Sequence, residues 1–204
     1  AEPGRLQALG PALLGGRGLM TMAKKTLRRA MVLAAGLGTR MRPVTDTLPK
    51  PLIEVNGRAL IDHALDRLQA AGVTDAVVNT HHLADQVEAH LKDRTSPAIK
   101  LSPEKKLLET GGGIANALAL LGDGPFFTVN ADTFWLNGPL DALGRLADTW
   151  DDANMGGRVL LHSTVEAYGY TGLGDFRAAG DGLLERRLEA EVSPWLFTGI
   201  QVLH

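Results

Sequence analysis

The sequence predicts an α/β protein in which a mostly parallel sheet lies between helices and a smaller antiparallel lobe follows. Strand-like and helix-like segments alternate from residue 29 to about residue 156. The helix-like segments have the length of about 10–15 residues that βαβ units require. After about residue 156 the segments are strand-like, with turns between them and no strong helix pattern. Together these observations indicate a Rossmann-like sheet with an antiparallel addition.

The predicted strands of this part of the chain are short runs rich in apolar residues, at 30–35, 52–55, 75–79, 99–101 and 125–129. The predicted helices include one with Ile61, Leu65 and Leu68 on a single face, and three more at 83–91, 112–121 and 140–150. Gly72 is expected to end the first helix, and Asn56-Gly57 is a turn signal after the second strand.

The remaining segments define the expected domain organisation. Strands are predicted at 158–162 and 197–203, with a hairpin at 175–184. Residues 1–22 are rich in Gly, Leu, Ala and Pro without a clear period, so we expect a flexible N-terminal extension. Residues 23–204 then form one domain.

The composition excludes several classes of function. The chain has 21 basic and 23 acidic residues and a net charge of −2, which gives no reason to expect nucleic acid or a membrane surface as a partner. It has no cysteine, which excludes disulfides and thiolate chemistry. No run approaches the roughly 20 apolar residues of a membrane span. A cytoplasmic protein, either a monomer or a small homo-oligomer, is expected.

The most informative segment is a glycine loop with two cations behind it. Gly36 and Gly38 follow the first predicted strand and allow the backbone to approach a ligand closely. Such a loop presents backbone N–H groups to an anion. Arg40 offers a forked guanidinium to phosphate oxygens, and Lys50 offers a mobile point charge between two prolines, which are expected to keep its backbone extended. The segment predicts a polyphosphate site.

Two common glycine-loop motifs do not fit. A dinucleotide-binding motif needs a third glycine where this chain has Met41. A P-loop needs Gly-Lys-Ser or Gly-Lys-Thr, whereas Gly38 is followed by Thr39-Arg40.

Asn79 and Asp132 each lie at a predicted strand end, where parallel sheets bind ligands, and a second glycine segment lies at a predicted helix start. Asp132 follows an apolar strand and is a suitable oxygen ligand for Mg²⁺. Glu109 and Thr110 precede three consecutive glycines, Gly111 to Gly113, at the start of a predicted helix. Because each glycine costs a helix about 1 kcal/mol, a close approach to a flat ligand is the expected compensation.

These segments together resemble the sugar-phosphate nucleotidyltransferases, which join a nucleoside triphosphate to a sugar-1-phosphate. The resemblance is strongest from Leu33 to Leu52, and it continues in Glu104 to Gly113, Val129 to Asp132 and Phe197 to Ile200. It implies the nucleotide-diphospho-sugar transferase fold, in which the antiparallel lobe binds the sugar.

The resemblance also implies a role for individual residues. Arg40, Lys50 and Asp132 are the expected catalytic residues, with Asp132 holding Mg²⁺. The expected nucleotide-binding residues come from both glycine segments: Ala34, Ala35, Gly36, Gly38, Thr39, Glu104, Thr110 and Gly111. The expected sugar-binding residues follow residue 170: Gly174, Glu185, Thr198 and Gly199.

Within the family, the later motifs are most similar to those of bacterial uridylyltransferases that recycle a cell-wall sugar. UTP and N-acetylmuramate 1-phosphate are therefore the expected substrates. The alternatives are a mannose-1-phosphate guanylyltransferase, a glucose-1-phosphate thymidylyl- or uridylyltransferase, and a non-catalytic subunit that binds a nucleotide sugar.

One feature of the chain departs from the family pattern, and two adjacent histidines have no expected role in the site. Relatives continue beyond the last predicted strand with a second metal-binding aspartate, so the C-terminal part of the domain is expected to be missing after His204. His81 and His82 are adjacent, lack a third ligand nearby and are expected in a solvated loop.

Overall fold

The computed structural model describes residues 6–9, 26–180 and 182–204. Eleven strands are found there: β1 (Leu6–Leu9), β2 (Arg29–Leu33), β3 (Glu54–Val55), β4 (Arg58–Ala59), β5 (Asp75–Thr80), β6 (Ala98–Pro103), β7 (Phe126–Asn130), β8 (Gly157–Ser163), β9 (Phe176–Ala178), β10 (Leu184–Arg186) and β11 (Trp195–Leu203). The α-helices of this part of the chain are α1 (Leu60–Ala70), α2 (Ala84–Leu91), α3 (Glu109–Leu121) and α4 (Ala142–Asp148). Most of the expected N-terminal extension, residues 1–22, lies outside the described residues.

The sheet confirms the predicted fold class. Its strand order is β1-β8-β11-β7-β2-β5-β6, and the four strands β7, β2, β5 and β6 are parallel to one another. Strand β11 is antiparallel to both β7 and β8. The hairpin of β9 and β10 joins the sheet through β11.

The strands after residue 156 differ from the expectation in one respect. They do not form a sheet of their own, because β11 pairs with β7 along one edge and with β8 along the other. Ile200 and Val202 on β11 are fully buried in the same core as the parallel strands. The antiparallel lobe is therefore an extension of the main sheet.

Successive residues of strand β2 bury opposite faces of the sheet, as the two-residue period of a strand requires. Ala30 and Val32 pack into the larger core with the apolar faces of α1, α2 and α4. Met31, between them, packs into a smaller core with Ala117 and Leu121 of α3. Helices thus cover both faces of the parallel strands, as predicted.

Helix α1 ends where the sequence predicts. Gly72 has φ of 94°, its N–H bonds to the carbonyl of Gln69, and the N–H of Val73 bonds to the carbonyl of Leu68. This pair of bonds is a Schellman motif, which favours glycine at its left-handed position. No helix in the described residues has both the length and the apolar character to cross a membrane.

The register of the parallel strands brings their carboxyl ends to one edge. Leu33 of β2 is opposite Asn79 of β5 and Asn130 of β7, and Asn79 is opposite Ser102 of β6. The segments that leave these strands therefore start side by side, at the edge where ligands bind in such sheets.

Leu65 tests how strongly the α1 face supports the fold. It is fully buried, and Leu65→Ala should lower the free energy of unfolding by about 2–5 kcal/mol through lost burial and a residual cavity. Leu118→Ala on α3 is the matched control, because Leu118 is 50% exposed and the change should cost under about 1 kcal/mol. Urea titration of both variants measures the difference, and equal losses would show that α1 does not pack as described.

Candidate active site

A cleft of about 420 Å³ lies at the carboxyl ends of the parallel strands. Its lining includes these predicted nucleotide-binding and catalytic residues: Ala34, Ala35, Gly36, Gly38, Thr39, Arg40, Lys50, Glu104, Thr110 and Asp132. Gly111 is the one predicted nucleotide-binding residue that does not line it. Asn79, Glu109 and Asn130 line the cleft without having been predicted as site residues.

The first glycine loop depends on its second glycine for its shape. Gly38 has φ of 64°, and a Cβ there would lie 2.9 Å from Cγ2 of Thr45. The hydroxyl of Thr45 donates a hydrogen bond of 2.9 Å to the carbonyl of Gly38, which holds the loop closed. Gly36 is different, because a Cβ there would meet no atom within 4 Å. Glycine at position 36 is therefore not needed to avoid a clash. Because Gly36 lines the cleft, the lack of a side chain leaves that space open.

Lys50 and Asp132 form an ion pair across the cleft. The Lys50 Nζ donates to Oδ2 of Asp132, and both side chains are partly exposed, at 25% and 32%. Lys50 begins a short 3₁₀ helix, Lys50–Leu52, so the expectation of an extended backbone at Lys50 was wrong. The N–H groups of Leu52 and Ile53 bond to the carbonyls of Pro49 and Lys50, and these bonds stabilise the turn.

Arg40 supplies the other predicted cation. It lies on a second 3₁₀ helix, Thr39–Met41, and its side chain is exposed. In residues 26–180 and 182–204 no ion pair or side-chain hydrogen bond occupies its guanidinium. Arg40 is thus available to an anion in the cleft, whereas Lys50 must first leave Asp132 or share it.

Asp132 fits a hard cation that takes its other ligands from a substrate. Its Oδ2 contacts Lys50, and no described residue donates to its Oδ1. The described residues contain no group of three or more His, Cys, Asp or Glu side chains arranged around a metal position. One carboxylate oxygen facing a phosphate-sized cleft suits Mg²⁺, which keeps waters and binds through one or two carboxylates and substrate phosphates.

The second glycine segment begins α3 directly. The helix starts at Glu109, which has φ of 60°, so the three glycines fall in its first turns. Gly113 is buried against two side chains, since a Cβ there would lie 2.7 Å from both Asn79 Nδ2 and Glu104 Oε1. Glycine at this position lets α3 pack onto the ends of β5 and β6.

Glu104 is buried beneath this helix start. Its Oε1 accepts a hydrogen bond of 2.7 Å from Asn79 Nδ2, and its Oε2 accepts one of 2.9 Å from the backbone N–H of Leu108. Asn79 Oδ1 in turn accepts from the backbone N–H of Ala34 at 2.7 Å. Asn79 therefore connects the first glycine segment to the second. Sequence reasoning placed Asn79 at the ligand edge but gave it no role in the site.

His81 and His82 lie in a loop, as the sequence suggested, but they are hydrogen-bonded and only partly exposed. A ring nitrogen of His81 lies 2.8 Å from the carbonyl of Glu104, and one of His82 lies 2.8 Å from the carbonyl of Thr45. Both side chains are half-buried. They hold backbone carbonyls of the two segments that line the cleft. Carbonyl partners of this kind leave no signal in the sequence.

The structure separates the four predicted sugar-binding residues. Thr198 and Gly199 lie at a bulge in β11, and a Cβ on Gly199 would be 2.6 Å from Asn130 Nδ2, beside the segment that carries Asp132. None of the four predicted sugar-binding residues lines the cleft itself. Glu185 lies exposed on β10, 3.7 Å from Arg177 on the paired strand β9. The cleft therefore adjoins only Thr198 and Gly199 of this set.

The chain is similar in sequence to two known proteins of the same name. The chain is 49% identical over 178 residues to N-acetylmuramate alpha-1-phosphate uridylyltransferase of Caulobacter vibrioides, covering 85% of this chain and 74% of that protein. It is 51% identical over 107 residues to the enzyme of the same name from Neisseria meningitidis, covering 51% of this chain and 46% of that protein.

A solved structure shares the fold. The crystal structure of UDP-glucose pyrophosphorylase complexed with UDP-glucose superposes with a TM-score of 0.68 at 21% identity, covering 87% of this chain and 76% of that one. The sequence profile of the nucleotidyl transferase family matches residues 29–185, which contain every residue named in the cleft. The chain belongs to the nucleotidyl transferase family.

Proposed function

We propose that this protein transfers a uridylyl group from UTP to N-acetylmuramate 1-phosphate, giving UDP-N-acetylmuramate and pyrophosphate. The observation that carries the proposal is the cleft itself, where the glycine loop, the exposed Arg40 and the Lys50–Asp132 pair lie together. The choice of substrates rests on the two uridylyltransferases to which the chain is similar. The product would return a cell-wall sugar to use, and the supply of UTP would place the reaction in the cytoplasm.

The reaction needs no covalent intermediate on the protein. An oxygen of the sugar phosphate attacks the α-phosphorus of UTP in line, a new P–O bond forms, and the bond from the α-phosphorus to the bridging oxygen of the β-phosphate breaks. Catalysis then depends on positioning and on stabilising charge that moves between phosphates. The cleft supplies both kinds of group.

The first glycine loop and Arg40 would hold the phosphate tail. Gly36 and Gly38 line the cleft, so backbone N–H groups of this loop would bind phosphate oxygens, and Arg40 would bind two oxygens of the departing pyrophosphate at once. Lys50 would act where the two substrates meet, since its ammonium can turn from Asp132 to the α-phosphate and the incoming sugar phosphate.

Asp132 would hold Mg²⁺ in this scheme. When bound, the ion supplies charge neutralisation at the phosphate oxygens. Asp132 would also hold Lys50 close to the reacting phosphates before the substrates arrive. Thr198 and Gly199 are the predicted sugar-binding residues best placed to contribute, because they pack against the segment that carries Asp132.

The proposal is tested by incubating the protein and its Asp132→Asn variant with each nucleoside triphosphate and a panel of sugar-1-phosphates, with and without Mg²⁺, and measuring pyrophosphate and nucleotide sugar. We expect Mg²⁺-dependent turnover that is fastest with UTP and N-acetylmuramate 1-phosphate. Asp132→Asn should cost about 2–4 kcal/mol of barrier, or roughly 30- to 1,000-fold in rate.

Other outcomes of this assay identify the alternatives. Preference for GTP and mannose 1-phosphate would indicate a guanylyltransferase, and preference for glucose 1-phosphate a thymidylyl- or uridylyltransferase. Binding of a nucleotide sugar without pyrophosphate release from any pair would indicate a non-catalytic subunit. An Asp132→Asn rate within a few-fold of the wild type would exclude Asp132 as the metal ligand.

The two cations should have separable roles. Arg40→Ala should weaken UTP binding and turnover together, with less effect on UDP-N-acetylmuramate, which lacks the phosphate tail. Lys50→Ala should lower kcat more than UTP affinity, because its contact strengthens in the transition state. Calorimetric titration of both ligands and steady-state rates measure these effects. Equal losses of both ligands in both variants would contradict this division of roles.

A further inference from the structure

Asn79 takes no part in the reaction described above, yet it occupies the junction between the two glycine segments. It is 3% exposed and lies near the end of β5, on the wall of the cleft. One atom of its amide bonds to Ala34, where the first loop starts, and the other bonds to Glu104, below the second. A planar amide can accept with one atom and donate with its neighbour, which these two partners require.

We propose that Asn79 is a positioning residue that fixes the Glu104 carboxylate for recognition of the nucleobase. The inference rests on the proposed function, because it concerns the choice of nucleoside triphosphate. Glu104 is 6% exposed and lines the cleft, and within the described residues no Lys, Arg or His forms an ion pair with it. Its carboxylate is held by two neutral N–H donors, those of Asn79 and Leu108.

The two donors decide what Glu104 can offer a ligand. Neither the Asn79 Nδ2 nor the Leu108 N–H can accept a hydrogen bond, so both oxygens of Glu104 must act as acceptors. A carboxylate has about four acceptor positions, and two remain for a ligand. Uracil carries an N–H at ring position 3, whereas cytosine carries a lone pair there. An acceptor fixed opposite ring position 3 therefore favours uracil over cytosine.

The packing of helix α3 at Gly113 gives a second way to disturb the Asn79–Glu104 hydrogen bond. A Cβ at Gly113 would lie 2.7 Å from both atoms of the Asn79–Glu104 hydrogen bond, so α3 packs directly on that bond. Gly111 lies in the same turn of α3, and a Cβ there would meet nothing within 4 Å. Alanine at position 113 would therefore contact the Asn79–Glu104 pair, whereas alanine at position 111 would not.

Asn79→Asp is the sharpest variant, because it keeps the shape and the acceptor for Ala34 but replaces the amide donor with a second carboxyl group, and two buried carboxyl groups this close share one proton, so Glu104 no longer presents a fixed carboxylate. We expect the kcat/KM ratio of UTP to CTP to fall about tenfold or more, mainly through the KM for UTP, as expected for a lost hydrogen bond to a charged group. A ratio within twofold of the wild type would overturn the inference.

The exchanged pair Asn79→Asp with Glu104→Gln separates positioning from stability. It restores a hydrogen bond between the two side chains with its direction reversed, so the Tm should recover relative to Asn79→Asp alone. The UTP to CTP ratio should stay low, because position 104 now also presents a donor. Recovery of the ratio together with the Tm would show that Asn79 acts only on stability.

Gly113→Ala disturbs the same bond with Asn79 intact and serves if Asn79→Asp does not fold. It should lower both the Tm and the UTP to CTP ratio, whereas Gly111→Ala should not lower the Tm, since it adds a methyl group in open space. An unchanged ratio in a folded Gly113→Ala protein would count against the inference. If the wild type releases no pyrophosphate with any substrate, the proposed function fails, and calorimetric binding of UTP and CTP to the same variants still tests Asn79.

Discussion

The register of four parallel strands is the constraint on which the site depends. Leu33 lies opposite Asn79 and Asn130, so the segments that follow β2, β5 and β7 leave the sheet at one level. The pairing of Thr80 with Pro103 puts Glu104 at the start of the next connection. A shift of one residue would turn every side chain of a strand to the other face. Because Ala30 and Val32 pack into one core and Met31 into the other, such a shift would exchange residues between the two cores and move the cleft with them.

The charges of the cleft are balanced in different ways on its two sides. Lys50 and Asp132 neutralise each other while staying partly exposed, so each can exchange its partner for a phosphate or a cation at little cost in desolvation. Glu104 is buried and held by neutral donors, so its hydrogen bonds are harder to exchange. A movable pair suits the reacting phosphates, and a fixed acceptor suits a nucleobase that must be recognised the same way each time.

Much of the fold follows from sequence pattern, because strand and helix periods, glycine stops and strand-end residues are local properties. The helix of Leu65, its end at Gly72 and the parallel strands β2, β5, β6 and β7 were predicted and confirmed. The predicted strand at 52–55 is reduced to β3, which pairs with β4 in a separate two-stranded sheet. The pairing of β11 with both β7 and β8 was not predicted, since a strand pattern does not specify its neighbours.

The candidate site shows the same difference between local sequence pattern and contacts made by the fold. Residues in glycine motifs could be placed in the cleft from sequence, because the motif and the strand end coincide. The partners of His81, His82 and Glu104 could not, because they are carbonyls and amides brought close only by the fold. The roles of Gly174 and Glu185 remain predictions, and the cleft does not include them.

Amide hydrogen exchange with and without UTP and Mg²⁺ tests the central claim most directly, because it reports on backbone groups without requiring turnover. The claim is that one cleft binds the nucleotide between the two glycine segments. UTP should slow exchange at residues 36–39 and 108–113 together, and leave the exposed hairpin at 176–186 unchanged. Protection of the hairpin without protection of the glycine segments would contradict the account.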